Sequence, residues 1–106
     1  MHVVFLIVSA LTGCSPTLES AEERAAEEFC DRAVDCGLWV PNEMETCVNH
    51  MHDVFDLEWP DRECETAITR SRLNECLDEI SVEKCRDLHW NIENLEACAQ
   101  DAICGD

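Results

Sequence analysis

The cysteines are the residues whose type and spacing could do the most chemistry, because they number nine in a chain of 106 residues. Such a content, about 8% of a short chain, is typical of a disulfide scaffold in an oxidising compartment. The C-x-x-C spacing of zinc knuckles and thioredoxin-like redox motifs occurs nowhere in the sequence. We therefore expect four disulfides among the eight cysteines that follow Cys14, namely Cys30, Cys36, Cys47, Cys64, Cys76, Cys85, Cys98 and Cys104.

The pairing of these eight cysteines is only partly determined by the sequence, which leaves about a hundred connectivities open. Cys30 and Cys36 lie about 120° apart around one predicted helix and almost two turns apart along it, so they cannot bond each other. Cys36 can meet Cys47 across the loop to the next helix, and Cys76 can meet Cys85 in the same manner. We favour these two local pairs, which leave Cys30 and Cys64 to pair with Cys98 and Cys104.

The histidines could bind a metal or act as a base, but their spacing favours neither. On a helix, His50 and His52 would project about 160° apart, so they cannot chelate one metal and are predicted to be exposed. A site combining His50 with Cys47 would need a reduced protein. No Ser-His-Asp, G-x-S-x-G, phosphate-loop or H-E-x-x-H pattern occurs, so we expect no catalytic residue, no metal and no cofactor. An enzyme using His50 or His89 with nearby carboxylates is the alternative.

Acidic residues dominate the charged surface, since 24 Asp and Glu stand against 7 Lys and Arg for a formal charge of −17. This charge repels phosphate backbones and anionic headgroups, which disfavours nucleic-acid binding and electrostatic membrane binding. The pairs Glu22-Glu23, Glu27-Glu28 and Asp78-Glu79 lack the D-x-D-x-D-G arrangement of a calcium loop, which favours a solvated acidic face. Calcium or metal buffering by these faces stays open. A protein partner held by them should itself be basic.

The N-terminus carries an export signal. Residues 3–11 form an apolar run that is too short to cross a bilayer and is typical of the h-region of a signal peptide. The run ends in Leu11-Thr12-Gly13-Cys14, which resembles the lipobox of bacterial lipoproteins. That resemblance implies a signal peptide over residues 1–13, a diacylglycerol thioether on Cys14 and a tether over residues 14–20. It also implies a lipid-anchored location in the bacterial cell envelope, with the outer membrane favoured.

A soluble secreted form is the alternative to the lipoprotein, since Val8-Ser9-Ala10 is an acceptable site for cleavage after Ala10. Cysteine parity favours the lipoprotein, because acylation of Cys14 leaves an even number of thiols to pair. The first two residues, Met1 and His2, lack the Lys or Arg of a usual signal peptide. This departure suggests that the true start lies upstream.

Helical signals dominate residues 21–106, whereas strand signals are nearly absent. The first helix is predicted to begin with Ser20 as a cap and to stop at Gly37. The second is predicted to begin at a capping box, with Asn42 at its start, and to stop before Trp59-Pro60. Both have an apolar stripe at steps of three and four residues, so both should pack one face against a core.

The rest of the chain is predicted to be helical as well. A third helix is predicted over residues 61–79. Its apolar stripe changes side near Ser71, which indicates either a bend there or a helix sandwiched between two neighbours. Ser81 and Asn91 are predicted to cap two further short helices. The fold class is therefore all-α, a small disulfide-stitched bundle of four to five short helices in one domain, residues 21–106.

The tryptophans are the remaining residues of note, because each lies at or near a predicted helix boundary. Buried, they would be structural plugs; exposed, they would be anchors of a binding surface. The sequence leaves both interpretations open for Trp39, Trp59 and Trp90.

The lipobox, the Ala/Glu-rich first helix and the run C-x8-C-x12-C at Cys76, Cys85 and Cys98 together resemble the small cysteine-rich helical lipoproteins of myxobacteria and related bacteria. The resemblance implies export, lipidation and disulfides. Those proteins mostly have no assigned activity, so it implies no catalytic residue. We interpret the chain as a non-catalytic, acidic lipoprotein of the envelope. Its expected partners are the membrane, through the lipid anchor, and a basic envelope or extracellular protein.

Overall fold

The computed structural model describes residues 15–105, so the predicted signal peptide (1–13) and Cys14 lie outside the described residues. Residues 15–105 form five α-helices, three short 3₁₀-helices and no β-strand, which confirms the all-α fold class. The α-helices are α1 (Leu18–Asp35), α2 (Met44–Glu58), α3 (Asp61–Cys64), α4 (Arg70–Val82) and α5 (Gln100–Ile103). The 3₁₀-helices are Pro41–Glu43, Cys85–Asp87 and Glu96–Cys98.

Helix α1 begins earlier than the sequence predicts, because Thr17 and not Ser20 caps it. The Thr17 hydroxyl accepts a hydrogen bond from the backbone N–H of Ser20 at 3.0 Å. The first turn of α1 therefore occupies the end of the predicted tether, residues 14–20. The helix stops as predicted at Gly37, whose φ of +74° is the left-handed conformation that ends many helices.

Helix α2 begins after a 3₁₀ turn and not at the predicted capping box. Neither the turn nor α2 has a side-chain hydrogen bond at its N-terminal cap, so Asn42 caps neither. The helix ends at Glu58, as predicted from the restriction that Pro60 places on Trp59. Trp59 is fully buried against Phe55, and its Nε1 donates to the carbonyl of Cys98 at 2.7 Å. Trp59 is thus a structural plug.

The single third helix predicted over residues 61–79 is in fact two helices, α3 and α4, separated by residues 65–69. Thr69 starts the second one, because its hydroxyl accepts a hydrogen bond from the N–H of Arg72 at 3.1 Å. Cys64 and Leu73, on either side of the break, are both buried. The change of apolar face therefore marks the start of a new helix, and the predicted bend near Ser71 is wrong.

The two short helices predicted at the C-terminus also differ from the structure. Ser81 lies inside α4, where its hydroxyl donates to the carbonyl of Asp78 at 2.8 Å. Asn91 accepts a hydrogen bond from the N–H of Glu93 at 3.2 Å within a turn and caps no helix. A 3₁₀ turn, Cys85–Asp87, stands in place of the first predicted helix, and after Asn91 short helical turns occur only at 96–98 and 100–103.

Two acidic side chains hold this C-terminal segment against the bundle. Glu79 of α4 accepts hydrogen bonds from the N–H groups of Glu96 and Ala97, at 3.2 and 2.6 Å. Glu58 of α2 accepts one from the N–H of Gln100 at 3.1 Å. Carboxylates here satisfy N–H groups that short helices leave unpaired. The prediction of a wholly solvated acidic face is therefore wrong for Glu79.

Helix α1 lies at the centre of the bundle, because it packs against both α2 and α4. It runs antiparallel to α2, since Cys30 bonds Cys47 near the connecting loop while Glu22 approaches His52 farther from it. The small side chains of α1 let these helices approach closely. Fully buried apolar residues of α1 and α2 are Ala21, Ala25, Ala26, Phe29, Cys30, Ala33, Met51 and Phe55.

The eight cysteines form four disulfides, as predicted, but both favoured local pairs are wrong. Cys30 lies on the face of α1 that meets α2, whereas Cys36 is about 120° farther round and faces the chain after α4. Cys36 therefore cannot reach Cys47. Cys76 lies mid-helix in α4 facing the 96–98 turn, which excludes a bond to Cys85. The bonds are Cys30–Cys47, Cys36–Cys85, Cys64–Cys104 and Cys76–Cys98.

Candidate functional site

A shallow aromatic groove runs along the exposed side of α2. Its walls are Trp39, from the loop after α1, and Trp90, from the loop after α4, whose ring centroids are 5.7 Å apart at an interplanar angle of 69°. Two hollows of about 310 and 500 Å³ meet at His50 and Trp90. We call this surface the Trp90 groove and define it by Trp39, Thr46, His50, Val54, Leu57 and Trp90.

Both walls of the Trp90 groove are held in place by the fold. Trp39 is half-buried, and its Nε1 donates to the carbonyl of Glu43 at 2.7 Å. Trp90 is half-buried too, and its ring packs on that of Phe29 in α1 with centroids 5.4 Å apart. The walls are therefore rigid, and only their outer faces meet solvent.

The turn that carries Trp90 contains a strained residue. Buried Ile92 has a φ of +53°, a conformation that β-branched residues rarely adopt. Its N–H donates to the carbonyl of His89 at 3.0 Å, which closes the turn around Trp90. Strain of this kind persists where the surrounding structure requires it, and it concentrates at functional surfaces.

The edge of the Trp90 groove exposes apolar surface. Leu57 of α2 is 83% exposed, more than any other large apolar side chain in residues 15–105. Leu38 and Val40, which flank Trp39, are also exposed. Apolar side chains that are grouped at an aromatic groove, and not scattered singly, are typical of an interaction surface.

A second feature lies on the other side of α2, where Glu19 and Glu22 of α1 meet His52; we call it the Glu22 cluster. Glu22 is only 1% exposed. The Nε2 atom of His52 lies 3.1 Å from Glu19 Oε2 and 3.7 Å from Glu22 Oε1. Neither His52 Nε2 nor Glu22 Oε2 has a hydrogen-bond partner. The cluster thus contains two buried polar atoms that the protein leaves unsatisfied.

The electrostatics of the Glu22 cluster disfavour ionised Glu22. Burial first, then the charge and hydrogen bonding of the Asp56 carboxyl group, and then the carboxylates of Glu19 and Asp61 together raise the pKa of Glu22 to about 8. The carboxyl group lines a pocket of about 670 Å³ that Asp56, Asp61 and Glu65 also line. Glu19, with its side chain 78% exposed, stands at the mouth.

The structure separates the predicted candidate histidines. His50 and His52 lie on different sides of α2, as the predicted angle requires, so they do not share a site. His50 is exposed in the Trp90 groove, 6.5 Å from the ring centroid of Trp90, and His89 is exposed on the loop. The prediction of an exposed His52 is wrong, because its side chain is only 21% exposed. Cys47 is bonded to Cys30 and is no thiolate ligand for His50.

Sequence reasoning missed the Glu22 cluster and the role of Leu57. One signal was present: Glu22 stands four residues before Ala26 and seven before Phe29, in register with the apolar stripe of α1. A glutamate at such a position must be buried or must interrupt the stripe. The second half of the cluster, His52, comes from another helix, and no local pattern joins the two.

Fold and site together define a small, disulfide-rich helical protein with an aromatic surface groove. The chain belongs to DUF6184, a family of unknown function, which matches residues 30–106. The matched residues include all eight disulfide cysteines and both walls of the Trp90 groove, and they begin after Glu19 and Glu22. No curated protein and no solved structure matches the chain. Among residues 15–105, no helix has the length and apolarity needed to span a membrane.

Proposed function

We propose that this chain is a non-catalytic protein-interaction module of the bacterial cell envelope, and that the Trp90 groove is its binding surface. The observation that carries the proposal is the groove itself: two fixed tryptophans with exposed Leu57 at the edge. Tryptophans that are held by the fold and open on one face are the residues that most often anchor a protein interface. The groove is lined mainly by aromatic and aliphatic side chains, with one imidazole, that of His50. Such a lining is suited to binding a partner.

The partner is a protein segment that places an apolar side chain against the exposed faces of Trp39 and Trp90 and flanks it with Lys or Arg. Glu58 lines the groove, and Glu45 and Asp53 are exposed on the same helix. A chain with a formal charge of −17 attracts a basic partner over a long range and repels an acidic one. Lys or Arg over the open face of a tryptophan also gains a cation–π attraction.

A photo-crosslinking amino acid at position 57 tests this surface in living cells. Because Leu57 is exposed at the edge of the groove, the probe is expected to capture a specific protein with a basic binding segment. Position 82 is the matched control, since Val82 is 73% exposed and does not line the groove. Crosslinked products are identified by mass spectrometry.

Two results would contradict the proposed surface. One is an equal set of products from positions 57 and 82, which would indicate non-specific contact. The other is a specific product from position 57 whose binding survives Trp90→Ala.

Once the partner is identified, its association rate with this chain should fall steeply between about 0.05 and 0.5 M salt, because screening shortens the range of the charge attraction.

The envelope location in this proposal rests on lipidation of Cys14. The change Cys14→Ser is expected to abolish incorporation of labelled palmitate and to release the protein from the membrane fraction, since one thioether carries the anchor. Supporting the proposal, helix α1 begins only four residues after Cys14, which would hold the domain close to a bilayer. Equal labelling of wild type and Cys14→Ser would refute the lipoprotein and favour the form cleaved after Ala10.

A further inference from the structure

Two buried polar atoms of the Glu22 cluster lack any hydrogen-bond partner, Oε2 of Glu22 and Nε2 of His52. Leaving a buried polar group unsatisfied is costly, and more so when the group is charged. The two atoms come from different helices, yet their residues belong to one cluster, whose two glutamates line one pocket. From this convergence we propose that Glu19, Glu22 and His52 bind one divalent transition-metal ion, with Zn²⁺ as the ion that fits the donors.

The distances within the cluster suit a small metal ion. One donor atom from each of the three residues lies within 4.8 Å of the other two. His52 Nε2 lies 3.1 and 3.7 Å from its two carboxylate oxygens. Zinc bonds of about 2.0–2.2 Å in a tetrahedron hold donor atoms roughly 3.3–3.6 Å apart. The two His52 distances need shifts of only a few tenths of an ångström, and the exposed side chain of Glu19 has room to adjust its distance from Glu22.

The donor types select the class of metal. One neutral imidazole nitrogen with two carboxylates is a donor set that zinc sites use, and its imidazole and small number of ligands suit Zn²⁺ better than Ca²⁺, which takes six to eight oxygen atoms. Three protein ligands leave a fourth position open, and the adjoining pocket provides room for water there. The Asp56 and Asp61 carboxylates add negative charge beside the site.

The fold holds the ligands in place before metal binds. Glu22 of α1 is buried in the protein core. The Cys30–Cys47 disulfide links α1 to α2, which carries His52. Glu19 is the one mobile ligand, because its side chain is 78% exposed at the mouth of the pocket. A cation reaching the pocket also offsets the negative charge of the Asp56 and Asp61 carboxylates that line it. The site is separate from the Trp90 groove, so each can be tested alone.

Calorimetry with Zn²⁺ alone tests the site on the disulfide-bonded mature chain after removal of metal with a chelator. We expect one Zn²⁺ per chain, with affinity reduced at least about tenfold by His52→Ala and by Glu22→Gln. The matched control is His50→Ala, which removes an exposed imidazole two residues away on the same helix and should leave the affinity unchanged. Far-UV circular dichroism confirms that each variant is folded.

A second measurement identifies the metal ligands without relying on the affinity for Zn²⁺. With Co²⁺ in place of Zn²⁺, the visible absorption should show a four-coordinate site and should be lost in His52→Ala but kept in His50→Ala. The proposal is overturned if Zn²⁺ binds no tighter than about 1 mM. It is equally overturned if His52→Ala and Glu22→Gln bind as well as wild type, or if Ca²⁺ binds more tightly than Zn²⁺.

Discussion

The double variant Cys36→Ala/Cys85→Ala is expected to lose about 4 kcal/mol of unfolding free energy, because its disulfide closes the longest of the four loops, with a sequence separation of 49. Cys36 is half-buried and Cys85 is exposed, so their removal leaves no core cavity and the loss reports the cross-link. Such a loss is a large part of the roughly 5–15 kcal/mol that stabilises a domain. Urea unfolding followed by circular dichroism measures it.

The variant Cys36→Ala/Cys47→Ala is the informative control, since these are the two cysteines that sequence reasoning paired. In the observed connectivity it breaks two bonds and leaves Cys30 and Cys85 without partners. It should therefore be less stable than Cys36→Ala/Cys85→Ala. If it is the milder of the two, the observed pairing is wrong, and non-reducing peptide mapping would locate the true bonds.

Local signals explain why the helices were predictable and the disulfides were not. The stops at Gly37 and before Pro60 depend on the backbone of one or two residues, so the sequence predicted them correctly. The partner of Cys36 depends on which helix packs beside its side of α1, and that is decided by the whole core. The direction in which Cys36 projects was predictable, whereas the arrival of Cys85 at that point was not.

The same limit applies to the candidate sites. The sequence pointed to Trp39 and Trp90 as plugs or anchors, and only their half-burial in the fold decides between the two. Trp59, at a similar helix boundary, is fully buried and hydrogen-bonded to the C-terminal segment. The Glu22 cluster joins residues that are about thirty positions apart, which no local spacing can reveal.

Replacing Glu22 by Gln is expected to stabilise the metal-free protein at alkaline pH. Burial first, and then nearby carboxylates, raises the pKa of Glu22 from its ordinary value of 4.5 to about 8. Between these two values the folded protein keeps a proton that the unfolded chain has lost, so the free energy of unfolding falls as pH rises. Above pH 8 the full cost of the buried charge is present. Below pH 4.5 both states are protonated and the cost vanishes.

The difference in unfolding free energy between Glu22→Gln and wild type isolates this effect from the repulsion among the other carboxylates. In the presence of a chelator, the two proteins should have nearly equal free energies of unfolding at about pH 4. The values should diverge with rising pH, until Glu22→Gln is at least about 1–3 kcal/mol more stable at about pH 8.5. Glu23→Gln is the control: it removes an exposed carboxylate next to Glu22 on the same helix, and it should change stability by less than about 0.5 kcal/mol. Urea unfolding across this pH range provides the comparison. A difference that stays constant with pH, or that favours wild type at about pH 8.5, would show that Glu22 is ionised at little cost in the folded protein.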